Sequence, residues 1–350
     1  MKAPQDLQRD VPLAPRTTLE LGGSAEYFLE ARSVEGLRAA MAWATAAGVP
    51  VTFLGGGSNA IVPDAGVPGL VVAMALRGVE VRREGDAVRV RARAGEDWSS
   101  FVTRAVAEGW AGVECLAGIP GQVGSTPIQN VGAYGQDVSH TIVRVGCIDR
   151  QTGALVERDA ADCAFGYRDS DFKRRPDRFV VTDVTFALRP GGGPTLAYRE
   201  LLERAPSAPS LEAVRSLVLE LRRAKSMVLD RADPNRRSAG SFFTNPIVDA
   251  ERLAGVEAAA AERALGPVPQ WPAAGGTKLA AGWLIERAGF PKGSRRGAVG
   301  QSTKHALALV HHGGGSTAEL LAYAAEIVAG VEGVFGITLE REPRLLGNDG

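Results

Sequence analysis

Ser241 stands in the run SAGSFFTNP, residues 238–246, with no neighbouring residue to act as its base. A serine hydroxyl without a base is a poor nucleophile, and no G-x-S-x-G elbow surrounds it, so hydrolase chemistry has no foothold. Read alone it is a turn or cap serine, which leaves open what chemistry uses an unpartnered hydroxyl. Arg168 lies in FGYRDSDFK, 165–173, among aromatic and polar side chains. Its planar fork suits a carboxylate, although in isolation the stretch reads as a solvated ion pair. In TLEREPRLLG, 338–347, Glu340, Glu342 and Arg344 alternate with their neighbours as along a strand edge.

Two glycine-rich stretches suggest anion binding. GGGSN comprises Gly55, Gly56, Gly57, Ser58 and Asn59 and follows the strand-like VPVTFL. Consecutive glycines let main-chain N–H groups converge on an anion without Cβ obstruction. The stretch is neither GxGxxG nor GxxxxGK[ST], which counts against Rossmann and P-loop readings. The second, IPGQVGSTPIQNVGAYG, runs from Ile119 to Gly135 and adds the side chains of Ser125, Thr126, Gln129 and Asn130. It is too long and too rich in glycine and small polar residues to be an idle connector. Two such loops suit the pyrophosphate and heterocycle of a large dinucleotide.

The elements that must position these loops follow from periodicity and punctuation. Ser33 caps a helix through VEGLRAAMAWATAA that Gly48 stops. VEVRREGDAVRVRARAG, 79–95, alternates apolar and charged residues around Gly-Asp, as a hairpin does. DWSSFVTRAVAE reads as a helix ending at Gly109, and strands are expected at 142–148, 154–157 and 178–188. RPGGGP, 189–194, is a loop or hinge. Helices are expected over SLEAVRSLVLELRRAK, over KLAAGWLIERAG from Lys278, and after Ser316 and Glu319 in capping-box spacing. GPVPQWPAAGG, 266–276, reads as a loop. The pattern is α+β, with a second domain starting near 200.

Composition narrows the class. Lysine plus arginine and aspartate plus glutamate both number 40, so no net field draws the chain to nucleic acid or an anionic membrane. The first residues carry no apolar signal segment, and no run is long enough to span a bilayer. Cys115, Cys147 and Cys163 have no metal-like spacing and read as buried or indifferent thiols of a reducing compartment. The four histidines, His140, His305, His311 and His312, supply no zinc motif, and the pair 311–312 reads as surface.

The succession GGGSN, IPGQVGSTPIQNVGAYG, FGYRDSDFK, AGSFFTNP, KLAAGWLIERAG and LEREPRLLG closely resembles the bacterial UDP-N-acetylenolpyruvoylglucosamine reductases. The resemblance runs from about residue 16 to 347. It implies an FAD-binding domain of the vanillyl-alcohol-oxidase type in two α+β subdomains, 1–70 (joined by 335–350) and 71–200, and a substrate-binding domain at 201–334. It also implies cytoplasmic reduction of UDP-N-acetylglucosamine enolpyruvate to UDP-N-acetylmuramate by NADPH, in peptidoglycan precursor synthesis. No histidine precedes residue 140, so FAD would be noncovalent.

By the same resemblance, Ser241 donates the proton, and Arg168 and Glu342 stabilise the enolate. Gly55, Gly56, Gly57, Ser58 and Asn59, with Ile119, Pro120, Gly121, Gly124, Ser125, Thr126, Gln129, Asn130, Gly132, Ala133 and Tyr134, hold FAD. Tyr198, Lys225, Asn245, Lys292 and His305 contact substrate, and Tyr198 belongs to a loop that closes over the nucleotide sugar. The resemblance departs at two places: the connection SMVLDRADPNRRSAG is longer than in some members, and STKH at 302–305 falls where the family varies. No metal is expected, and a monomer is. The rivals are an FAD oxidase of the same superfamily, which has no reason to carry SAGSFFTNP, and a UDP-sugar-binding protein without flavin.

Overall fold

The computed structural model describes residues 2–347, so the last three residues of the segment 335–350 lie outside the described residues. The chain divides into two compact units. One comprises the N-terminal residues up to Val11, Ala25–Gly56 and Pro68–Leu229, and the other Pro12–Ser24, Gly57–Val67 and the chain from Asp230 onward.

In the first unit, a four-stranded sheet runs in the order Gln8–Pro12, Ser24–Ala31, Val67–Met74, Val51–Leu54. The last two strands are parallel, and the chain joining them carries GGGSN. The helix Val34–Ala47 begins where the Ser33 side chain accepts from the Gly36 N–H and ends at left-handed Gly48. Its buried stripe is Leu37, Ala40, Trp43 and Ala44.

A larger sheet of the same unit orders Leu155–Asp159, Ile142–Asp149, Phe179–Pro190, Ala87–Arg93 and Val79–Glu84. Along Ala87–Arg93 the side chains alternate as their sequence requires, with Val88, Val90 and Ala92 inward. On the outer face Arg91 grips Asp183 through Nε at 2.7 Å and Nη2 at 3.0 Å. Helix Trp98–Ala107 packs Trp98 and Phe101 against Phe186 of the sheet, with ring centroids 4.8–5.9 Å apart. Helix Leu211–Ala224 buries Leu211, Val214, Val218 and Leu221. All three cysteines are buried and free.

The second unit is built on helix Thr317–Phe335, which buries Leu320, Ile327 and Val331. Ser316 and Glu319 form the expected capping box. Asp64 adds a cap from afar, accepting from the Thr317 and Ala318 N–H groups at 2.7 and 2.8 Å. Helices Ala250–Glu262 and Ala281–Arg287 pack beside it.

Three expectations are corrected here. Lys278 and Leu279 do not open a helix: they end the strand Gly276–Leu279, the middle of a three-stranded sheet. Lys278 is bonded between Ile247 and Trp271, and pairing on both sides outweighs helix propensity. The stretch 266–276 is not all loop, since Gln270–Ala273 is the edge strand of that sheet, where Pro272 is tolerated. His311 is not a surface residue. It is buried, its Nε2 accepts from the Gly315 N–H at 3.2 Å, and its Nδ1 therefore donates to the Leu19 carbonyl at 3.1 Å. No described helix is long and apolar enough to cross a membrane.

Candidate active site

Arg168 lies at the tip of a tight turn closed by reciprocal bonds between Gly166 and Asp169. Its φ of 51° is in the left-handed region, which costs a non-glycine residue free energy. The guanidinium donates to the Gly132 carbonyl at 2.6 Å and the Asn130 carbonyl at 3.4 Å, so the fork is aimed along the second glycine-rich loop. Asn130, itself left-handed and buried, donates to the Gly166 carbonyl and accepts from the Ser139 N–H. Of eight left-handed non-glycines among the described residues, Asn130, Tyr134, Arg168 and Ser226 lie on or near this loop or beside Lys225. Such strain persists only where the surroundings over-determine it.

Gly55 and Gly56 of the first stretch meet the second stretch within the first unit. A Cβ on Gly55 would lie 2.7 Å from Ser125 Oγ, and one on Gly56 would lie 2.9 Å from Gly121 Cα. Gly124 is pressed against Ala94 in the same way. Between the loops, Gln122 Nε2 donates to the Met74 carbonyl at 2.9 Å while its Oε1 is buried with no partner. Ile119, Ala133 and Tyr134 pack against the apolar core, and the Thr126 hydroxyl closes its own turn on the Val123 carbonyl. Pro120 and Gln129 are half-buried on the same loop.

Tyr134 meets the substrate-side candidates. Its ring is edge-on to Tyr198 at 5.2 Å, and the Lys225 ammonium lies 5.8 Å from its centroid. Lys225 pairs with Glu200 at 2.8 Å. Burial opposes the lysine's charge, but that hydrogen bond, with Tyr134, raises its pKa on balance. Burial also raises the Tyr134 phenol.

Arg222, one turn before, is a residue that sequence reasoning missed. Its Nη2 donates to the Met227 carbonyl at 2.6 Å, and its Nε is buried without a partner. Among the described residues, the ionisable groups that act on it are Tyr134 and Arg168, with no carboxylate. Burial pulls its pKa down to about 10; Tyr134 opposes the fall and the like charge of Arg168 adds to it. The signal was present in the sequence. Arg222 falls four residues after buried Val218, on the apolar stripe of its helix, where a solvated arginine does not belong.

The remaining candidates belong to the second unit. The SAGSFFTNP segment pairs with LEREPRLLG: Phe243 bridges Arg341, the Thr244 N–H donates to the Glu340 carbonyl at 3.0 Å, and the Glu342 N–H donates to the Phe242 carbonyl at 3.0 Å. Half-buried Ser241 and Glu342 are thereby carried on adjacent backbones. Buried Phe242 and Phe243 anchor the serine segment. Asn59 joins the same place, its Nδ2 3.4 Å from the Glu342 carbonyl and its own carbonyl accepting from the Arg344 N–H at 3.0 Å. Ser58 is half-buried beside it.

Gly57 takes φ 66°, and its carbonyl accepts from the Thr18 N–H at 3.1 Å. The Thr18 hydroxyl is a further buried polar atom without a partner. Asn245 Oδ1 accepts from the Ala281 N–H at 3.0 Å, so part of its carboxamide caps the short helix. Lys292 is exposed, 3.7 Å from Glu286, and His305 Nδ1 accepts from the Leu307 N–H at 3.2 Å. No cluster among the described residues could hold a metal ion.

Known proteins resemble this chain along nearly its whole length. Residues 25–158 match a family described as an FAD binding domain, and residues 233–346 match the UDP-N-acetylenolpyruvoylglucosamine reductase C-terminal domain. UDP-N-acetylenolpyruvoylglucosamine reductase of Thermobifida fusca is 50% identical, over 97% of this chain and 98% of the relative. That of Streptomyces coelicolor is 46% identical over 97% and 90%. The crystal structure of the reductase from Thermus caldophilus superposes with a TM-score of 0.65 at 25% identity, covering 97% of this chain and 98% of that one. Identity at this level along nearly the whole length decides the matter: the chain belongs to the UDP-N-acetylenolpyruvoylglucosamine reductase family.

Proposed function

We propose that this chain catalyses the reaction its family is named for, the NADPH-dependent reduction of UDP-N-acetylglucosamine enolpyruvate to UDP-N-acetylmuramate, a step of peptidoglycan precursor synthesis. The observation that carries the reading is the pairing of the Ser241 segment with the Glu342 segment. It brings a hydroxyl and a carboxyl, far apart in sequence, onto adjacent backbones.

FAD, held noncovalently, is the cofactor, and the residues present fit it. Gly55 and Gly56 lack the Cβ atoms that would fill the space against Ser125 and Gly121, leaving main chain to face a ligand. The buried, unpartnered Gln122 Oε1 is an acceptor that a ligand N–H or hydroxyl would satisfy. Residues 55–59 and 119–134 would hold it. When bound, FAD would supply hydride transfer from NADPH to the methylene carbon of the enolpyruvyl group.

The chain's own residues handle the charge and the proton. Hydride addition leaves negative charge on the carbon bearing the carboxylate, and a dianionic enolate is costly unless donors face it. Arg168, oriented by its bonds to the Gly132 and Asn130 carbonyls, sets its positive charge toward that enolate. Arg222, which pairs with no carboxylate among the described residues, adds a second cation. Ser241 then protonates the carbon. A neutral hydroxyl suffices because the acceptor is strongly basic, so no histidine is required. Glu342 assists by carrying or sharing a proton rather than as a bare anion. Lys225 and Lys292 offer point charges to the diphosphate, and Tyr198, Asn245 and His305 contact the nucleotide sugar. On this reading residues 1–70, with 335–350, and 71–200 serve the flavin, and 201–334 the substrate. The enzyme acts as a cytoplasmic monomer on small molecules, with neither nucleic acid nor membrane as partner.

The test is a visible spectrum under anaerobic conditions. We expect an oxidised-flavin spectrum that NADPH bleaches and the enolpyruvyl sugar restores. A colourless protein that cannot be reconstituted with FAD would overturn the proposal.

A further inference from the structure

Buried in the first unit is a carboxylate that the proposed reaction does not use. Glu114 is wholly inaccessible to solvent, and among the described residues no cation pairs with it. Its charge is met by N–H donors alone: Gly112 N–H on Oε2 at 2.7 Å, and Thr195 N–H and Gln136 Nε2 on Oε1 at 2.7 and 3.1 Å. An interior carboxylate is retained only where it is well hydrogen-bonded, so what it holds is informative.

It holds Thr195. Every polar atom of that residue is bonded to a buried residue. The N–H goes to Glu114, Oγ1 accepts from Gln136 Nε2 at 3.0 Å, and the carbonyl accepts from Cys115 Sγ at 3.2 Å. Gln136 is locked in turn, its Oε1 accepting from the Cys115 N–H at 2.9 Å. Thr195 directly follows the RPGGGP stretch and precedes Tyr198 by three residues.

Beyond Thr195 the character of the contacts changes. Tyr198 is 40% exposed and rests edge-on against Tyr134. Glu200 is held by its partly exposed pair with Lys225. Such contacts break at little cost, whereas parting from a buried charged network leaves unpaired groups behind. The backbone is thus fixed at Thr195 and again at Leu201, which is buried in the core, and between them only the Tyr198 side chain is lightly held.

We infer that Glu114 and Gln136 are positioning residues for the reaction. They fix Thr195, so that the short segment between it and buried Leu201 holds Tyr198 in one place against the nucleotide sugar. The inference rests on the reading of Tyr198 as a substrate contact.

Thr195→Val keeps the side-chain shape and the main-chain bonds but loses the Gln136 bond, and Thr195→Ser keeps all three. For Thr195→Val we expect KM for the enolpyruvyl nucleotide sugar to rise about five- to tenfold, the weight of one net hydrogen bond, with kcat within about twofold. Thr195→Ser should restore the parental KM, and Tyr198→Ala should raise KM at least as far as Thr195→Val. Without substrate, hydrogen exchange at the Thr195 amide should quicken in Thr195→Val and in Glu114→Gln. A parental KM in Thr195→Val beside a raised KM in Tyr198→Ala overturns this inference alone. A parental KM in Tyr198→Ala overturns the reading of Tyr198, and this inference with it.

Discussion

Replacing Gly56 by alanine tests whether the two glycine-rich loops must touch. The added Cβ would lie 2.9 Å from Gly121 Cα, 3.3 Å from the Gly121 carbonyl carbon and 3.6 Å from the Gln122 nitrogen. The first separation is roughly half an ångström short of ordinary contact, and all three neighbours are main chain, so no rotamer relieves the overlap. Overpacking of this kind costs about 1–3 kcal/mol. In the free protein the loops relieve it by parting. A cofactor spanning both loops needs them back at their closed spacing, so the cost falls on binding. FAD affinity should drop roughly 5- to 140-fold, at 1.4 kcal/mol per tenfold.

The assay is titration of the flavin-free protein with FAD, followed by flavin fluorescence, with a thermal melt of each flavin-free variant. Gly255→Ala is the control: it lies inside helix Ala250–Glu262 with nothing within 4 Å of the new Cβ. It should bind FAD like the parent and gain about 0.5–1 kcal/mol of stability. A folded Gly56→Ala protein that binds FAD within about twofold of the parent would refute the reasoning, whether or not its melting temperature falls.

Ser241→Ala should leave reduction of the bound flavin by NADPH near its parental rate and slow reoxidation by the enolpyruvyl sugar by about 10²–10⁴-fold, measured by stopped-flow absorbance; equal slowing of both half-reactions would remove Ser241 as proton donor. Arg222→Met keeps length and apolar contact but removes the charge, so kcat/KM for the nucleotide sugar should fall at least about tenfold in steady-state assays; parental kinetics would mean the cation faces no anion in the reaction. Arg168→Lys keeps the charge and loses the fork geometry, and kcat should fall severely; near-normal turnover would leave Arg168 a structural residue. Burial raises the thiols of Cys115 and Cys147 to about 12 and that of Cys163 to about 11. The folded state keeps these protons while the unfolded chain begins to lose them near pH 8.5. Their contribution to stability is complete below that pH and is lost as pH rises toward 11–12, so the urea midpoint should decline over that window. A flat midpoint, or rapid labelling of native thiols at pH 8, would contradict their burial.

Much of the scaffold was legible in the sequence because its causes are local. A cap acts within one turn, so Ser33 and Gly48, or Ser316 with Glu319, mark helix ends without help from the rest of the chain. Strand alternation likewise decided which face of Ala87–Arg93 turns inward. The wording of the glycine-rich loops and of SAGSFFTNP sufficed to indicate the family. Helix Ala250–Glu262 went unread although Asp249 caps it and alanines fill it, so there the local signal was overlooked rather than missing.

Other features had no local cause. Lys278 lies in a strand because Ile247 and Trp271 bond it from both sides. His311 is buried because the Leu19 carbonyl and the Gly315 N–H claim its ring. The sequence by itself determined that an arginine stands at 222, a glutamate at 114 and a threonine at 195. Only the tertiary structure decided that the first is buried beside Tyr134 and Arg168 and that the second grips the third across 81 positions. Capping and periodicity act over a few residues, whereas the environment of a buried charge is set by whichever distant segments the closed chain brings around it.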